Sequence, residues 1–391
     1  MTFKNLLFLA LAILSFQCTN LTPKPGDAEL DEFLADKRIK AENVGLQAAY
    51  LKNGKLAWKR SYGVKNIETK EPVDDKTLFM IASSSKPVTA TAIMRMADLG
   101  LIDLDSDINT YLPFEIRNPN FPDRQITARM LLSHTSSLND DWDTLDPLYT
   151  TEEGGDSPIE LEYFVRNYFL NDGEFYKKQT NFHAKAPGTQ WDYCNMGYVI
   201  LGLMVQKISG KPFEKYMAED FFGPLGMKDS YWFLRDIPHD NIARPHEPVK
   251  KGTPKVLPHY GYPDFPDGQL RTTVSDYARF LEIFLNDGMA NGQQFLKPET
   301  VKEFLTVQYP AIHRHQAIAW NYDEMENFIY YRFMPRLPSH TGGDPGVATI
   351  VSFDPDTKTG ALIFSNSRPD NLLDTKHMYL DMMKRLLRAA L

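Results

Sequence analysis

Residues 44–64 read VGLQAAYLKNGKLAWKRSYGV. This stretch holds two strand-like runs, Lys55–Val64 and the run that ends at Tyr50, joined through an Asn-Gly pair that accepts the positive φ angles of a tight hairpin turn. Two further strand-like runs lie near the other end of the chain, at Val347–Phe353 and Ala361–Ser365, around an Asp-Pro-Asp turn signal. Both ends of the chain are therefore predicted to contribute strands to one antiparallel sheet.

The middle of the chain is predicted to be mostly helical. Apolar residues recur at helical spacing in Val88–Leu99 and Tyr198–Ile208, and further helices are predicted at Ala28–Lys40 and Leu372–Leu391. Arg235–Pro266 holds seven prolines and three histidines without a sustained period, which predicts a long ordered loop. The expected architecture is an α+β fold, in which helices flank the sheet and a mostly helical domain is inserted between its strands.

Composition excludes several classes of protein. The chain has 391 residues, 42% of them hydrophobic and 24% charged, which is enough apolar material for a large core and rules out a disordered or fibrous protein. The balance of 43 Lys and Arg against 51 Asp and Glu, with no basic run, predicts that nucleic acid is not a partner. No internal repeat or low-complexity stretch is present, so a solenoid or propeller is not expected.

The first 17 residues have the layout of a secretory signal peptide, with one Lys before the apolar run Leu6–Ile13. That run is too short to span a bilayer. Together with the following Cys18, it resembles a bacterial lipoprotein leader, which implies a lipid on Cys18 and a tether over residues 18–27. The alternative is an ordinary cleaved leader with an incidental cysteine, because Gln17 stands where a small residue is usual.

Ser83-Ser84-Ser85-Lys86 is the only Ser-x-x-Lys in the chain and opens a helix-like run. Residues three apart share a helix face, so the Lys86 amine is expected to lie over the Ser83 hydroxyl, while Ser85 is turned away. A serine becomes a good nucleophile only when a neighbouring base takes its proton. The alternative interpretation is an exposed helix N-terminus rich in capping serines.

Tyr193-Cys194-Asn195 is the only Tyr-x-Asn. A tyrosine beside a cationic lysine is expected to have a lowered pKa and to relay protons. Asn195 offers an amide to position Lys86 or a substrate amide. The alternative is a buried tyrosine with a hydrogen-bonded hydroxyl. Cys194 is interpreted as a packing residue and, if Cys18 is lipidated, as the one thiol left in the mature chain, which leaves no internal disulfide.

His340-Thr341-Gly342 comes before Gly343 and a predicted strand. A glycine pair on an edge strand lets a substrate approach the backbone, and a free N–H there can face a developing oxyanion. Lys358-Thr359-Gly360 is a competing candidate for the same motif. It follows a hairpin turn signal and is expected to point to solvent, so it is rejected.

These three motifs, in this order, resemble those of the penicillin-recognising serine hydrolases, and most of all the group of class C β-lactamases, D-alanyl-D-alanine carboxypeptidases, D-aminopeptidases and related esterases. Flanking stretches add to the likeness at Phe79–Ala82, Leu131–Ser136 and Pro187-Gly188, so it extends from about residue 30 to 390. The resemblance implies a β-lactamase-like fold over residues 28–391. The expected sheet subdomain covers about 28–80 and 267–391, and the helical subdomain covers about 81–266.

The resemblance also implies residue roles. Ser83 would attack a carbonyl and form an acyl-enzyme, with Lys86 and Tyr193 sharing the work of general base and acid. Asn195, His340, Thr341 and Gly342 would orient the substrate, and the backbone N–H groups of Ser83 and Gly343 would form the oxyanion hole.

Neither a cofactor nor a metal is expected. His313-Arg314-His315 lacks the further ligands of a zinc site and is assigned a surface or core role. His134 is expected to be structural. His340 stands where many relatives have Lys, and a neutral imidazole attracts a substrate carboxylate less, which argues against a dedicated β-lactamase.

The expected function is that of an exported, lipid-anchored serine hydrolase of the bacterial cell envelope. Its substrate would be a small molecule or peptide with an amide, peptide or ester bond, and a D-amino-acid peptide is one candidate. A class C-like β-lactamase and a broad esterase are the alternatives among enzymes, and a non-catalytic ligand-binding envelope protein is the alternative from another class. The oligomeric state stays open.

Overall fold

A computed structural model describes residues 26–248, 252–322, 336–368 and 372–391. The predicted signal peptide and Cys18 lie outside these described residues, so the leader and its lipid remain predictions. Across the described residues, none of the helices has both the length and the apolar character needed to cross a bilayer.

The described residues form twelve strands and eleven α-helices. The strands are β1 Gly45–Lys52, β2 Lys55–Gly63, β3 Phe79–Met80, β4 Ser230–Tyr231, β5 His246–Glu247, β6 Lys255–Val256, β7 Arg271–Thr272, β8 Met289–Ala290, β9 Gln293–Gln294, β10 Ser339–Asp344, β11 Val347–Asp354 and β12 Thr359–Ser365. The α-helices are α1 Asp27–Lys40, α2 Lys86–Asp98, α3 Ala128–Leu132, α4 Trp142–Leu145, α5 Leu161–Phe169, α6 Asn195–Ser209, α7 Phe213–Tyr216, α8 Gly223–Leu225, α9 Val274–Leu285, α10 Pro298–Leu305 and α11 Leu372–Ala390.

The main sheet has five antiparallel strands in the order β10-β11-β12-β1-β2. Strand β1 from one end of the chain pairs with β12 from the other, with Leu46 opposite Ser365 and Tyr50 opposite Ala361. The β1–β2 turn has φ of 53° at Asn53 and 71° at Gly54, the left-handed values that the Asn-Gly pair predicts. The predicted α+β fold, with a sheet built from both ends of the chain, is confirmed.

Helices cover both faces of this sheet. On one face α1 and α11 pack around buried residues such as Leu34, Ile363 and Met382. On the other face α9 lies against the sheet, where the rings of Tyr277 and Phe364 meet edge to face at 5.5 Å. Because both faces are covered, nearly all of β1 is buried and its sequence lacks the alternation of a half-exposed strand.

The helical region between β2 and α9 is built around α2 and α6. Helix α6 is buried from Asn195 to Val205, and its apolar character on all sides fits that position. The described residues of Arg235–Pro266 are mostly irregular, as predicted, apart from short elements such as the β5–β6 pair. The last residues of this segment are buried against the first turn of α2, where the Pro266 oxygen accepts the Thr89 hydroxyl at 2.7 Å, next to the candidate site. The exact subdomain bounds remain a prediction.

Candidate active site

Ser83 lies on a tight turn between a strand and a helix. Strand β3 ends at Met80, a 3₁₀ turn follows over Ala82–Ser85, and α2 begins at Lys86. Ala82 has φ of 49°, a left-handed conformation that costs a non-glycine residue about 1–3 kcal/mol and is kept only where the surroundings enforce it. The turn leaves Ser83 partly exposed, and Lys86 Nζ donates to its Oγ at 3.0 Å.

Asp267 is the main partner of Lys86. Lys86 Nζ donates to Asp267 Oδ2 at 2.9 Å and to the Asp267 backbone oxygen at 3.1 Å. The side chains of Lys86 and Asp267 are 0% and 6% exposed, so this is a buried ion pair. Motif reasoning missed Asp267, because no motif marks it and its position in the chain lies 181 residues from Lys86.

The charge on Lys86 depends on this pair. Burial alone would lower the pKa of Lys86, but Asp267 and Tyr193 outweigh burial and raise it. Burial raises the pKa of Asp267, and the Lys86 charge opposes that rise. Burial and the neighbouring Asp267 raise the pKa of Asp264 well above its usual value. Lys86 is therefore held as an ammonium, its charge favours the ionised form of Asp267, and Asp264 is held protonated.

Tyr193 comes to the same point from the segment before α6. Lys86 Nζ lies 5.1 Å from the centre of the Tyr193 ring, and the ring stacks on His134 at 4.4 Å. Burial raises the pKa of Tyr193, while Lys86 and hydrogen bonding to Ser83 only partly offset that rise. The prediction of a lowered pKa was therefore wrong in its net sign, because burial outweighs the lysine.

Asn195 is held by a carboxylate that motif reasoning missed. Asp140 Oδ2 accepts the Asn195 backbone N–H at 2.8 Å and its side-chain Nδ2 at 2.9 Å, and Oδ1 accepts the Met196 N–H at 2.9 Å. Asp140 thus caps the N-terminus of α6, where the free N–H groups favour an anion. The amide donor of Asn195 is directed to Asp140 rather than to Lys86. Its buried Oδ1 has no hydrogen-bond partner among the described residues.

The His340-Thr341-Gly342 segment forms part of β10, at the edge of the main sheet. A Cβ on Gly342 would lie 2.3 Å from Thr349 Oγ1, 2.4 Å from the Ile81 oxygen and 3.1 Å from the Ser84 nitrogen. Glycine at this position therefore lets the strand touch the turn that carries Ser83. This close approach, rather than room for a substrate, explains the first glycine of the pair.

The exposed side of β10 contains the remaining predicted residues. Thr341 is partly exposed and Gly343 is exposed, and within the described residues no strand pairs with the outer edge of β10. The next residue, Asp344, accepts a hydrogen bond from the Tyr262 hydroxyl at 2.9 Å, and burial beside Asp267 raises its pKa to about 7. The structure thus brings Gly343 to the same edge as Ser83, and their oxyanion-hole role remains a prediction.

His340 is uncharged in this environment. It is buried, with Nδ1 2.6 Å from the Thr341 oxygen and its ring 6.5 Å from that of Tyr193. Burial, with the nearby Lys86 charge, lowers the pKa of His340 to about 3. The motif therefore presents a neutral imidazole at neutral pH.

The remaining residues that the sequence analysis considered do not join the Ser83–Lys86–Tyr193 cluster. Lys358 is exposed in the turn between β11 and β12, at the end of β11 opposite to Asp344. His313 stacks on Trp191 at 4.5 Å, and no group of three or more side chains suited to hold a metal occurs in the described ranges. Cys194 is buried and unpaired with another cysteine, and burial raises its pKa well above normal, as expected for a packing residue.

The strand-and-helix architecture and the Ser83–Lys86 pair are those of a serine hydrolase of the β-lactamase and penicillin-binding-protein class. The family described as Beta-lactamase matches residues 30–381, and the chain belongs to this family of serine hydrolases. Protein flp of Staphylococcus aureus (strain N315) is 26% identical over 259 residues, which are 66% of this chain and 49% of that protein. Penicillin-binding protein 4* of Bacillus subtilis (strain 168) is 23% identical over 343 residues, 81% of this chain and 67% of that protein. The chain spans about half the length of the first of these relatives.

Solved structures share the fold. A class C beta-lactamase superposes with a TM-score of 0.68 at 20% identity, over 92% of this chain and 96% of that one. The D-alanine carboxypeptidase AmpC from Burkholderia cenocepacia has a TM-score of 0.66 at 20% identity, over 93% and 99%. The octameric penicillin-binding protein homologue from Pyrococcus abyssi has a TM-score of 0.68 at 20% identity, over 91% and 77%.

Proposed function

We propose that this chain hydrolyses an ester, amide or peptide bond through an acyl-enzyme on Ser83. The observation that carries the proposal is the Lys86 Nζ–Ser83 Oγ contact of 3.0 Å, made by a lysine that is fully buried. A structural lysine is rarely buried unless it is paired, and here two of its contacts go to Asp267 while the third goes to the partly exposed serine. This arrangement suits an activated nucleophile.

In the proposed reaction Ser83 Oγ attacks the substrate carbonyl while its proton passes into the Lys86–Tyr193 pair. The N–H groups of Ser83 and Gly343 stabilise the oxyanion, a contribution of roughly 3 kcal/mol for each donor. The pair returns the proton to the leaving group, and a water molecule then releases the acid from Ser83 by the reverse proton path. Asn195 Oδ1, which is buried without a partner among the described residues, would accept an N–H of an amide substrate.

The charge state of His340 bears on which substrates the site favours. A neutral His340 supplies no positive charge to a substrate carboxylate, which favours an ester or an amide without a free carboxylate next to the scissile bond. A D-amino-acid peptide is the second candidate, and the exposed Arg368 supports it. Arg368 Nη1 lies 3.9 Å from the position a Cβ would take on Gly343, so this guanidinium borders the predicted oxyanion hole and suits a carboxylate.

We also propose that the protein is exported and anchored in the bacterial envelope by a lipid on Cys18. The support for this is the leader pattern of residues 1–17. Globomycin treatment of expressing cells, or mass spectrometry of the mature N-terminus, tests the lipid. A mature chain that begins with an unmodified residue would contradict the anchor and leave the hydrolase proposal unaffected.

The test of the hydrolase is intact-mass spectrometry after incubation with a fluorophosphonate, a p-nitrophenyl ester and a fluorescent penicillin. We expect a covalent adduct that is lost in Ser83→Ala. Ser85→Ala is the matched control, because Ser85 Oγ accepts the Leu270 N–H at 3.3 Å instead of contacting Lys86, and this variant should keep the adduct. Preference for the ester over the penicillin would support the esterase-like substrate class. Absence of an adduct with all three probes would favour the non-catalytic binding protein.

A further inference from the structure

The three contacts of Lys86 Nζ restrict which proton movements are possible. Asp267 Oδ2 and the Asp267 backbone oxygen, at 2.9 and 3.1 Å, only accept hydrogen bonds when the carboxylate is ionised. They therefore take two of the three ammonium hydrogens. The third direction points to Ser83 Oγ at 3.0 Å, which can either accept from Lys86 or donate to it.

For Ser83 to give its proton to Lys86, the lysine must first have a lone pair in that third direction. It gains one only by losing a proton, and Asp267 supplies the carboxylate among its hydrogen-bonded contacts. Tyr193 also hydrogen-bonds to Lys86, but its raised pKa keeps it a neutral phenol, which is a weak base. Asp267 Oδ1 is buried and makes no hydrogen bond within the described part of the chain. The carboxylate therefore keeps part of its capacity to bind a proton.

We propose that Asp267 is the residue that takes up the serine proton by way of Lys86, an inference that rests on the proposed function. As the Ser83 Oγ–carbon bond forms, the Oγ–H proton moves to Lys86 Nζ, and one Nζ–H proton moves to Asp267 Oδ2. The carbonyl π pair becomes the oxyanion, Lys86 remains an ammonium, and Asp267 becomes a neutral carboxylic acid, so charge and protons balance. Asp267 touches Lys86 and not the substrate, so it is a positioning residue for the lysine.

Other ionisable groups surround the pair and share its electrostatics. They are Ser83 and Tyr193 at the open side, Tyr198 with its ring 5.7 Å from Nζ, His134, His340, Asp140, Asp264 and Asp344. The two histidines are neutral because burial and the Lys86 charge lower the pKa of each. Asp264 is already protonated, whereas the 2.9 Å contact with the Lys86 ammonium favours the ionised form of Asp267.

The test is the pH profile of kcat/KM for p-nitrophenyl acetate, between pH 4 and 10, in the wild type and in Asp267→Asn. In the wild type, the acid limb of this profile, where kcat/KM falls as the pH is lowered, should report protonation of the Asp267 carboxylate. In Asp267→Asn the Lys86 ammonium must lose its proton without a carboxylate to accept it, so we expect the limb to move to higher pH by about one unit or more. We also expect kcat/KM at pH 6 to fall by about tenfold or more, with a smaller deficit at pH 9.

Two variants separate this role from a structural one. Asp267→Glu should return the limb towards its wild-type position, because it restores a carboxylate. Asp264→Asn, in the same buried turn, replaces a neutral acid with a neutral amide and should leave the limb in place. An equal loss at every pH with an unmoved limb in Asp267→Asn would overturn the proposal, and so would an unchanged profile.

A second readout does not depend on turnover. In protein labelled with ¹³C at lysine Cε, Lys86, assigned by its absence in Lys86→Arg, should remain an ammonium to high pH in the wild type and titrate at lower pH in Asp267→Asn. Identical titrations would overturn the inference. A shifted Lys86 titration together with no esterase activity and no adduct would instead count against the proposed hydrolase.

Discussion

The imidazole of His134 lies almost flat on the ring of Tyr193, with ring centres 4.4 Å apart and planes 29° apart. Its Nδ1 accepts the backbone N–H of Cys194 at 3.1 Å. The pKa of His134 is lowered well below its usual value by burial and by the Lys86 charge, so the ring is neutral and Nδ1 is free to accept. One histidine thus holds both the side chain of Tyr193 and the backbone of the residue after it.

Replacing His134 with Phe should keep the ring contact and lose the acceptor. The buried Cys194 N–H would then be unsatisfied, which lowers the free energy of unfolding by about 1–3 kcal/mol. Acylation of Ser83 should slow by about tenfold, because Tyr193 is less well positioned. Urea unfolding and stopped-flow acylation measure the two effects, with the exposed His239→Phe as control. Acylation at the wild-type rate in His134→Phe would show that Tyr193 is positioned by other contacts.

Gly342→Ala should separate β10 from the turn that carries Ser83. The new Cβ would overlap Thr349 Oγ1 and the Ile81 oxygen, so strand and turn must move apart. We expect a loss of stability of about 1–3 kcal/mol, typical of overpacking, and a larger proportional loss of acylation. Gly343→Ala is the matched control for stability, since its Cβ would meet only the Arg368 guanidinium, at 3.9 Å. Equal stability of the two variants would contradict the close approach of β10 to this turn.

Asp140→Ala should weaken the start of α6. It removes the acceptor for two backbone N–H groups and for the Asn195 side chain, and loss of a helix cap costs about 1–2 kcal/mol. Asp140→Asn keeps one acceptor oxygen and should lose less. Thermal unfolding of both variants gives the comparison. Equal losses in the two variants would mean that the carboxylate charge, rather than an acceptor oxygen, is what α6 requires.

The neutral state of His340 predicts a pH dependence of stability. The folded protein keeps His340 unprotonated down to about pH 3, whereas the unfolded chain protonates it below about 6.5. The unfolded state therefore binds more protons in this window, and stability is lost as the pH falls from about 6.5 towards 3, by roughly 5 kcal/mol in total. Urea unfolding of the wild type and His340→Gln at pH 7, 5 and 4 measures this effect. The free energy of unfolding of the wild type, relative to that of His340→Gln, should decrease as the pH falls. A constant difference between the two would mean that His340 titrates normally.

His340→Lys should change substrate preference. A lysine in this motif adds a positive charge beside the predicted oxyanion hole, so kcat/KM for a substrate with a free carboxylate should rise by about tenfold relative to a neutral ester. Lys358→Ala is the control, because Lys358 lies exposed in the β11–β12 turn and should leave the ratio unchanged. An unchanged ratio in His340→Lys would assign carboxylate recognition to another group, and Arg368→Ala would then test that group.

Sequence patterns were sufficient for the sheet and for the contact between Ser83 and Lys86. The Asn53-Gly54 turn, the strands at both ends and the Ser-x-x-Lys spacing are local features, and the three-residue spacing is short enough to place Lys86 on Ser83 without further information. The prediction for Tyr193 considered its lysine neighbour alone. It failed in sign because desolvation of the Tyr193 hydroxyl, which depends on how neighbouring segments pack around it, outweighs the lysine.

The sequence by itself determined the family, the fold class and the candidate nucleophile, because these follow from motifs and periodicities within short segments. Only the tertiary structure decided which carboxylates serve the site. Asp267 reaches Lys86 across 181 residues, and Asp140 caps α6 from 55 residues away. Contacts between distant segments leave no spacing pattern in the chain. In the interior, where polarity is low, burial and these contacts together set the charge states of Lys86, Tyr193 and His340.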